Sequence, residues 1–164
     1  VMANGLAGEV DSMEFEKALS ACCIRMTEML ARDGEGATKL VRAEIKGAVN
    51  EKEARIYAKA MINSPLIKTM AFGADPNIGR ILMALGKCFD NAFDLQKLTL
   101  AINDMPIYAA ANKLDYDDDV LRKSISGDLV VFQIDIGLGQ GEAIGYGCDL
   151  THGYIDENAA YYSS

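Results

Sequence analysis

Apolar residues fall on a helical period near the start of the chain. Phe15, Ala18, Leu19, Cys22, Met26, Met29 and Leu30 recur at i, i+3, i+4 and i+7, which predicts a helix over about Glu14–Arg32. Asp11 with Glu14 three residues on makes a capping box, and Gly34 stops the helix. The Met-rich stripe reads as core packing rather than a partner groove. The period then changes to two. Val41, Ala43, Ile45, Gly47 and Val49 alternate with Arg42, Glu44 and Lys46, the pattern of a half-exposed strand. Asn50 caps a second helix with Glu53 completing the box, and Ala54, Tyr57, Ala58, Met61 and Ile62 share one face. Asn63-Ser64-Pro65 ends it, and Leu66–Phe72 fits either an extended or a helical segment. Asp75-Pro76 reads as a cap with Pro at the first helical position, opening a helix with Ile78, Ile81, Leu82 and Leu85 on one side.

The second half is richer in strands. Leu98, Leu100 and Ile102 alternate up to an Asn103-Asp104 turn, and Pro106–Ala110 returns as the partner strand. Asp115–Asp119 is an acidic loop leading into one short helix. Leu129–Ile136 and Glu142–Asp149 read as two strands joined in a hairpin by Gly137-Leu138-Gly139-Gln140-Gly141. No repeat, low-complexity tract or linker interrupts the chain. The expected fold is one α/β (α+β) domain over residues 1–164, with a mixed, largely antiparallel sheet packed by helices.

Composition narrows the function classes. Half of the 164 residues are hydrophobic, and 24 acidic residues against 16 basic ones give a net charge of −8. A chain of this length buries roughly 70% of its unfolded surface and needs no metal or disulfide staple. The acidic balance argues against a nucleic-acid partner, which is held by a basic patch. No apolar run approaches the ~18 residues of a membrane span. Val1 is not an initiator Met, and Val1–Met13 lacks the character of a signal peptide, so the chain reads as a processed or cut product. Four cysteines without a CxxC pair and a single histidine, His152, leave no zinc-ligand set. Reduced, mostly buried thiols in a cytoplasmic protein are expected.

The candidate chemistry is sparse. Gly34-Glu35-Gly36-Ala37-Thr38-Lys39 lacks the spacing of a phosphate loop and enters a strand instead of a helix. Gly137–Gly141 fails as a dinucleotide fingerprint for the same reason. There is no GxSxG elbow, and a Ser-His or Cys-His site could use only His152, in a turn-like Thr151-His152-Gly153. Glu35 stands out. It sits between two glycines just past a helix C-terminus, where the dipole disfavours a carboxylate. Two readings are open: a cationic partner, whether a Lys or Arg of the protein or a substrate ammonium, and a solvated turn residue.

Four ordered stretches carry a resemblance. Ala31-Arg32-Asp33-Gly34-Glu35-Gly36-Ala37-Thr38-Lys39 is followed by Ser64-Pro65-Leu66-Ile67-Lys68-Thr69 with Phe72–Leu82. Gly147-Cys148-Asp149-Leu150-Thr151 and Asn158-Ala159-Ala160-Tyr161 come later. Together they resemble the ornithine acetyltransferase family, the bifunctional glutamate N-acetyltransferases of arginine biosynthesis. The chain departs from the family at Ile78, where Trp is common, and in the tail after Ala160.

The resemblance implies the C-terminal portion of the second chain of a precursor that cleaves itself. The new N-terminal Thr of that second chain, the oxyanion-hole Thr-Gly and an active-site Lys would lie upstream of Val1. So no catalytic residue is expected in this chain, and the chain alone would be inactive. The implied reaction moves acetyl from N-acetylornithine to glutamate through a Thr acyl-enzyme, with no cofactor or metal and with acetyl-CoA as a second donor in bifunctional members. Glu35, Asn158 and Ser163 match the family's substrate-binding positions, Glu35 on the ornithine part. The implied partners are the upstream half of the same precursor, small amino-acid substrates and further copies of the cleaved heterodimer. Asp75, Asn77 and Arg80 read as a helix start and its packing. The rival readings are a relative acting on another amino acid, as acyltransferase or amidohydrolase, and a non-catalytic assembly or binding domain.

Overall fold

The computed structural model describes residues 2, 4–6, 8–88, 90 and 94–159. The chain runs α1 (Ser12–Arg32), β1 (Leu40–Ala48), α2 (Glu51–Ile62), α3 (Pro65–Phe72) and α4 (Ile78–Gly86). It continues through β2 (Thr99–Ile102), β3 (Met105–Ala109), β4 (Asn112–Lys113), α5 (Asp118–Ile125), β5 (Leu129–Asp135), β6 (Gly141–Cys148) and α6 (His152–Ala159). Among the described residues the strands form one sheet in the order β4-β3-β2-β5-β1-β6. Only β1 and β5 pair in parallel; the other neighbours are antiparallel. The expected mixed α/β fold is present.

One face of the sheet carries the core. Val41, Ala43 and Ile45 of β1, Val130, Phe132 and Ile134 of β5, and Leu100 and Ile102 of β2 are buried with Ala54, Tyr57, Ala58 and Met61 of α2. Ile67 and Met70 of α3 and Ile81, Ala84 and Leu85 of α4 complete the layer. Helix α2 lies directly on glycines of β6. A Cβ on Gly145 would meet Ala58 at 3.2 Å, and one on Gly147 would meet Ile62 at 3.1 Å. Burial of Tyr57 pushes its phenol up to about 12, with Cys88 and Glu53 adding to the shift.

Several expected caps appear as read. Asp11 accepts from the amides of Met13 and Glu14, and Asn50 accepts from that of Glu53. The Asn103-Asp104 turn has φ of 47° and 66°, the left-handed pair that a tight hairpin needs. The open segment Leu66–Phe72 is helical. Helix α4 is capped by Asn77, whose side chain accepts from Arg80 N, rather than by Asp75. Asp75 ends the preceding turn instead, where its own amide donates to Met70 O.

Three further expectations are corrected. First, β5 and β6 do not form a hairpin, because β1 lies between them and pairs with both. The Gly137–Gln140 segment crosses the end of β1, and the amides of Leu138 and Gly139 both donate to the carbonyl of Gly47. Two strand spacings are about 9.6 Å, and a connection of about five residues reaches about 17 Å, so the same loop length serves either arrangement. Second, the stripe of α1 is not core. No residue of α1 is buried; Met26, Met29 and Leu30 are 55%, 57% and 74% exposed. The core face of the sheet is already covered by α2, α3 and α4. The opposite face carries Arg42, Glu44 and Lys46, and α1 meets the sheet chiefly beside β6 and β1. Third, the thiols are free, but Cys22 and Cys23 are exposed and Cys88 and Cys148 only half-buried.

Candidate functional site

β1 begins where β6 ends, with Leu40 opposite Cys148, so residues 34–39 run beside residues 148–153. Asp149 ties the two segments together. Its carboxylate accepts from Thr38 N at 2.8 Å, Thr38 Oγ1 at 2.5 Å and Lys39 N at 3.0 Å. Asp149 and Lys39 are both buried. The Lys39 ammonium donates to the carbonyls of Ala71, Phe72 and Ile125, at the ends of α3 and α5. These carbonyls sit at negative helix termini, which suits a cation. Burial nevertheless pulls Lys39 below its ordinary value of 10.5, and the field of Asp149 acts in the opposite direction.

Glu35 projects from this anchored loop. Gly36 has φ of +62°, and a Cβ there would collide with the backbone at Gly153 C and Tyr154 N, so glycine is required on both counts. Gly34 is similarly tight, since a Cβ would meet Cys148 Sγ at 2.5 Å. The loop is thus pressed against the first turn of α6, and α6 carries Asn158 back over it. Asn158 Nδ2 donates to Glu35 Oε2 at 2.8 Å and to Tyr154 O at 2.9 Å. The amide orientation is fixed chemically, because turning it over would set its oxygen against two acceptors. Both amide hydrogens are therefore used. Asn158 Oδ1 and Glu35 Oε1 accept no hydrogen bond from the described residues.

Two sequence-predicted site residues, Glu35 and Asn158, are brought into contact across 123 positions. Ser163 lies outside the described residues. Neither expected protein cation pairs with Glu35: among the described residues no ion pair involves it. Both Glu35 and Asn158 are solvent-facing. A groove of about 590 Å³ along Met26, Met29, Leu30, Arg32 and Asp33 runs up to the same loop. His152, also exposed, makes an edge contact with the Phe72 ring at 5.8 Å. No three His, Cys, Asp or Glu among the described residues gather as a metal site. No described helix is long and apolar enough to cross a membrane. Sequence reasoning gave no role to Asp149, Lys39 or Thr151. Asp149 and Thr151 lie in Gly147–Thr151, a stretch that stood out as a motif without a task.

Fold and site together define a mixed-sheet α/β protein that displays a carboxylate–amide pair beyond the N-terminal end of β1, the strand next to the β6 edge. The same architecture is found in the crystal structure of the arginine biosynthesis bifunctional protein ArgJ from Bacillus halodurans. The TM-score is 0.93 at 34% identity, over 98% of this chain and 79% of that one. The chain belongs to the ArgJ family, whose sequence profile matches residues 1–163. Relatives include the glutamate N-acetyltransferase Oat2 of Streptomyces clavuligerus, 42% identical over 98% of this chain. The arginine biosynthesis bifunctional protein ArgJ of Rhodococcoides fascians is 43% identical over the same share. The chain spans 42% and 40% of the lengths of these two relatives.

Proposed function

We propose that the chain is the C-terminal portion of the second chain of a glutamate N-acetyltransferase and supplies part of its substrate site. The observation that carries this reading is the Glu35–Asn158 contact, because both residues match substrate-binding positions of the family. A carboxylate and an amide oxygen with open acceptor capacity suit an ammonium, which is donor only. N-acetylornithine has its α-nitrogen acylated, so its one ammonium is on the δ-carbon. Glu35 binds that group, Asn158 holds Glu35 in place and offers Oδ1 beside it, and Ser163 is a further substrate-binding residue.

The chemistry follows from an upstream nucleophile. The hydroxyl of an N-terminal Thr, with its own α-amine as base, attacks the acetamide carbonyl and expels ornithine. Glutamate's amine then attacks the resulting ester and takes the acetyl group, with acetyl-CoA as a second donor and no cofactor or metal. The upstream half of the precursor covers the exposed stripe of α1, a contiguous apolar surface that a soluble protein rarely leaves open. Further copies of the cleaved pair assemble with it in the cytoplasm as an oligomer of cleaved heterodimers. The purified 164-residue chain is expected to show no acetyl transfer, whereas the protein encoded by the complete reading frame transfers acetyl from N-acetylornithine to glutamate with ping-pong kinetics. Turnover by the chain alone would place the nucleophile within it. A complete protein that prefers another amino acid would point to the rival substrate, and one without turnover to an assembly domain.

A further inference from the structure

The contact between Glu35 and Asn158 depends on how closely α6 is seated on the Gly34–Gly36 loop, and one side chain governs that seat. Thr151 Oγ1 donates to the carbonyl of Gly36 at 2.5 Å and accepts from Tyr154 N at 3.3 Å. A hydroxyl has one hydrogen to give, so the donation to Gly36 fixes its rotor and leaves its lone pairs for the helix amide. The same atom therefore caps the first turn of α6 and holds the Gly36–Ala37 peptide, one residue beyond Glu35. Thr151 is 7% exposed, out of reach of a substrate in solvent. Gly153 is the other half of the joint. A Cβ there would meet Gly36 Cα and Thr151 Oγ1, each at 3.3 Å, so the helix and the loop touch backbone to backbone.

We infer that Thr151, seated against Gly36 and Gly153, is the positioning residue that sets Glu35 and Asn158 at the separation that recognises the substrate's ammonium. The inference rests on the reading of Glu35 as the ammonium site. Thr151 touches no reacting atom. It acts by fixing two backbone segments from which the recognising groups project, and Tyr154 passes the seat on to Asn158 one helical turn later. Its effect is confined to substrates that carry the charge.

The test compares N-acetylornithine with N-acetylnorvaline, the same molecule without the δ-ammonium, as competing ligands of the complete enzyme. The readout is the ratio of their dissociation constants. Thr151→Val keeps the shape and removes the hydroxyl. With both bonds of the hydroxyl lost, it is expected to lower the preference for N-acetylornithine about tenfold, or about 1.4 kcal/mol, while N-acetylnorvaline binds as before. Thr151→Ser restores the preference, and Glu35→Gln abolishes it. Gly153→Ala, which keeps the hydroxyl and only pushes the helix off the loop, lowers the ratio in the same sense and serves where the Val variant does not fold. Equal weakening of both ligands by Thr151→Val, or an unchanged ratio in it or in Gly153→Ala while Glu35→Gln abolishes the preference, overturns the inference. An unchanged ratio in Glu35→Gln overturns the underlying reading of the site, and the inference falls with it.

Discussion

Asp149→Ala is expected to cost the folded protein about 3–5 kcal/mol, the range for removing one member of a buried charged network. Three donors lose their acceptor at once: Thr38 N, Thr38 Oγ1 and Lys39 N. Lys39 keeps its three carbonyls but loses the favourable field that Asp149 exerts on its ammonium. For a chain of this size the thermal midpoint should fall by roughly 6–20 °C. Asp149→Asn keeps an acceptor without the charge and should lie between the variant and the parent. The loss should also depend on pH. Burial lowers the folded pKa of Lys39, so the unfolded chain binds the proton more tightly, and this group makes stability rise with pH in the interval just below 10.5. Removing Asp149 lowers the folded pKa further, so the deficit of Asp149→Ala should shrink as pH approaches that value. A deficit below about 1 kcal/mol, or one that grows with pH, would mean that the network is not what seats the Glu35 loop.

Deleting Asn158–Ser164 from the complete enzyme should abolish acetyl transfer while self-cleavage and the fold persist. α6 has no buried residue, and beyond its capping Thr151 its described contacts with the rest of the chain are the Asn158–Glu35 bond, the edge contact of His152 with Phe72 and the close approach of Gly153 and Tyr154 to Gly36. The deletion removes the amide beside Glu35 and the tail carrying Ser163. Loss of self-cleavage together with transfer would place the tail in the folding of the precursor. Retained substrate affinity would remove Asn158 and Ser163 from the site.

The parts of the fold legible in the sequence are those fixed by local chemistry. The alternation of Val41, Ala43 and Ile45 with charged residues marks a strand because those side chains do point to opposite faces. Asn50 and Asn103 announce a cap and a left-handed turn because the backbone there needs their side chains or their tolerance of positive φ. Pairing is another matter. The β5 and β6 segments are visible as strands, but nothing in their period says that β1, from far earlier in the chain, inserts between them. The stripe of α1 shows the limit of amphipathicity. It specifies that a face is to be covered, not by what, and among the described residues nothing buries it. The site divides in the same way. Glu35 is conspicuous from its glycines alone, whereas Asn158 is an ordinary helical residue until α6 folds back over the loop. Only the family resemblance joins the two in advance. Thr151 and Asp149 are conspicuous as a motif, but their partners, Gly36, Thr38 and Lys39, lie more than 100 positions away and become apparent only in the folded chain.

The most direct measurement is the affinity of the complete enzyme for N-acetylornithine, by calorimetry, in the parent and in Glu35→Gln. Glutamine keeps the size of the side chain and removes its charge. Weakening by about 1.5–3 kcal/mol, roughly ten- to a hundredfold, with self-cleavage and thermal midpoint unchanged, is the result expected if Glu35 binds the substrate's ammonium. Unaltered affinity with a lowered midpoint would make Glu35 a structural residue of the loop and would contradict the assignment of this chain to the substrate site.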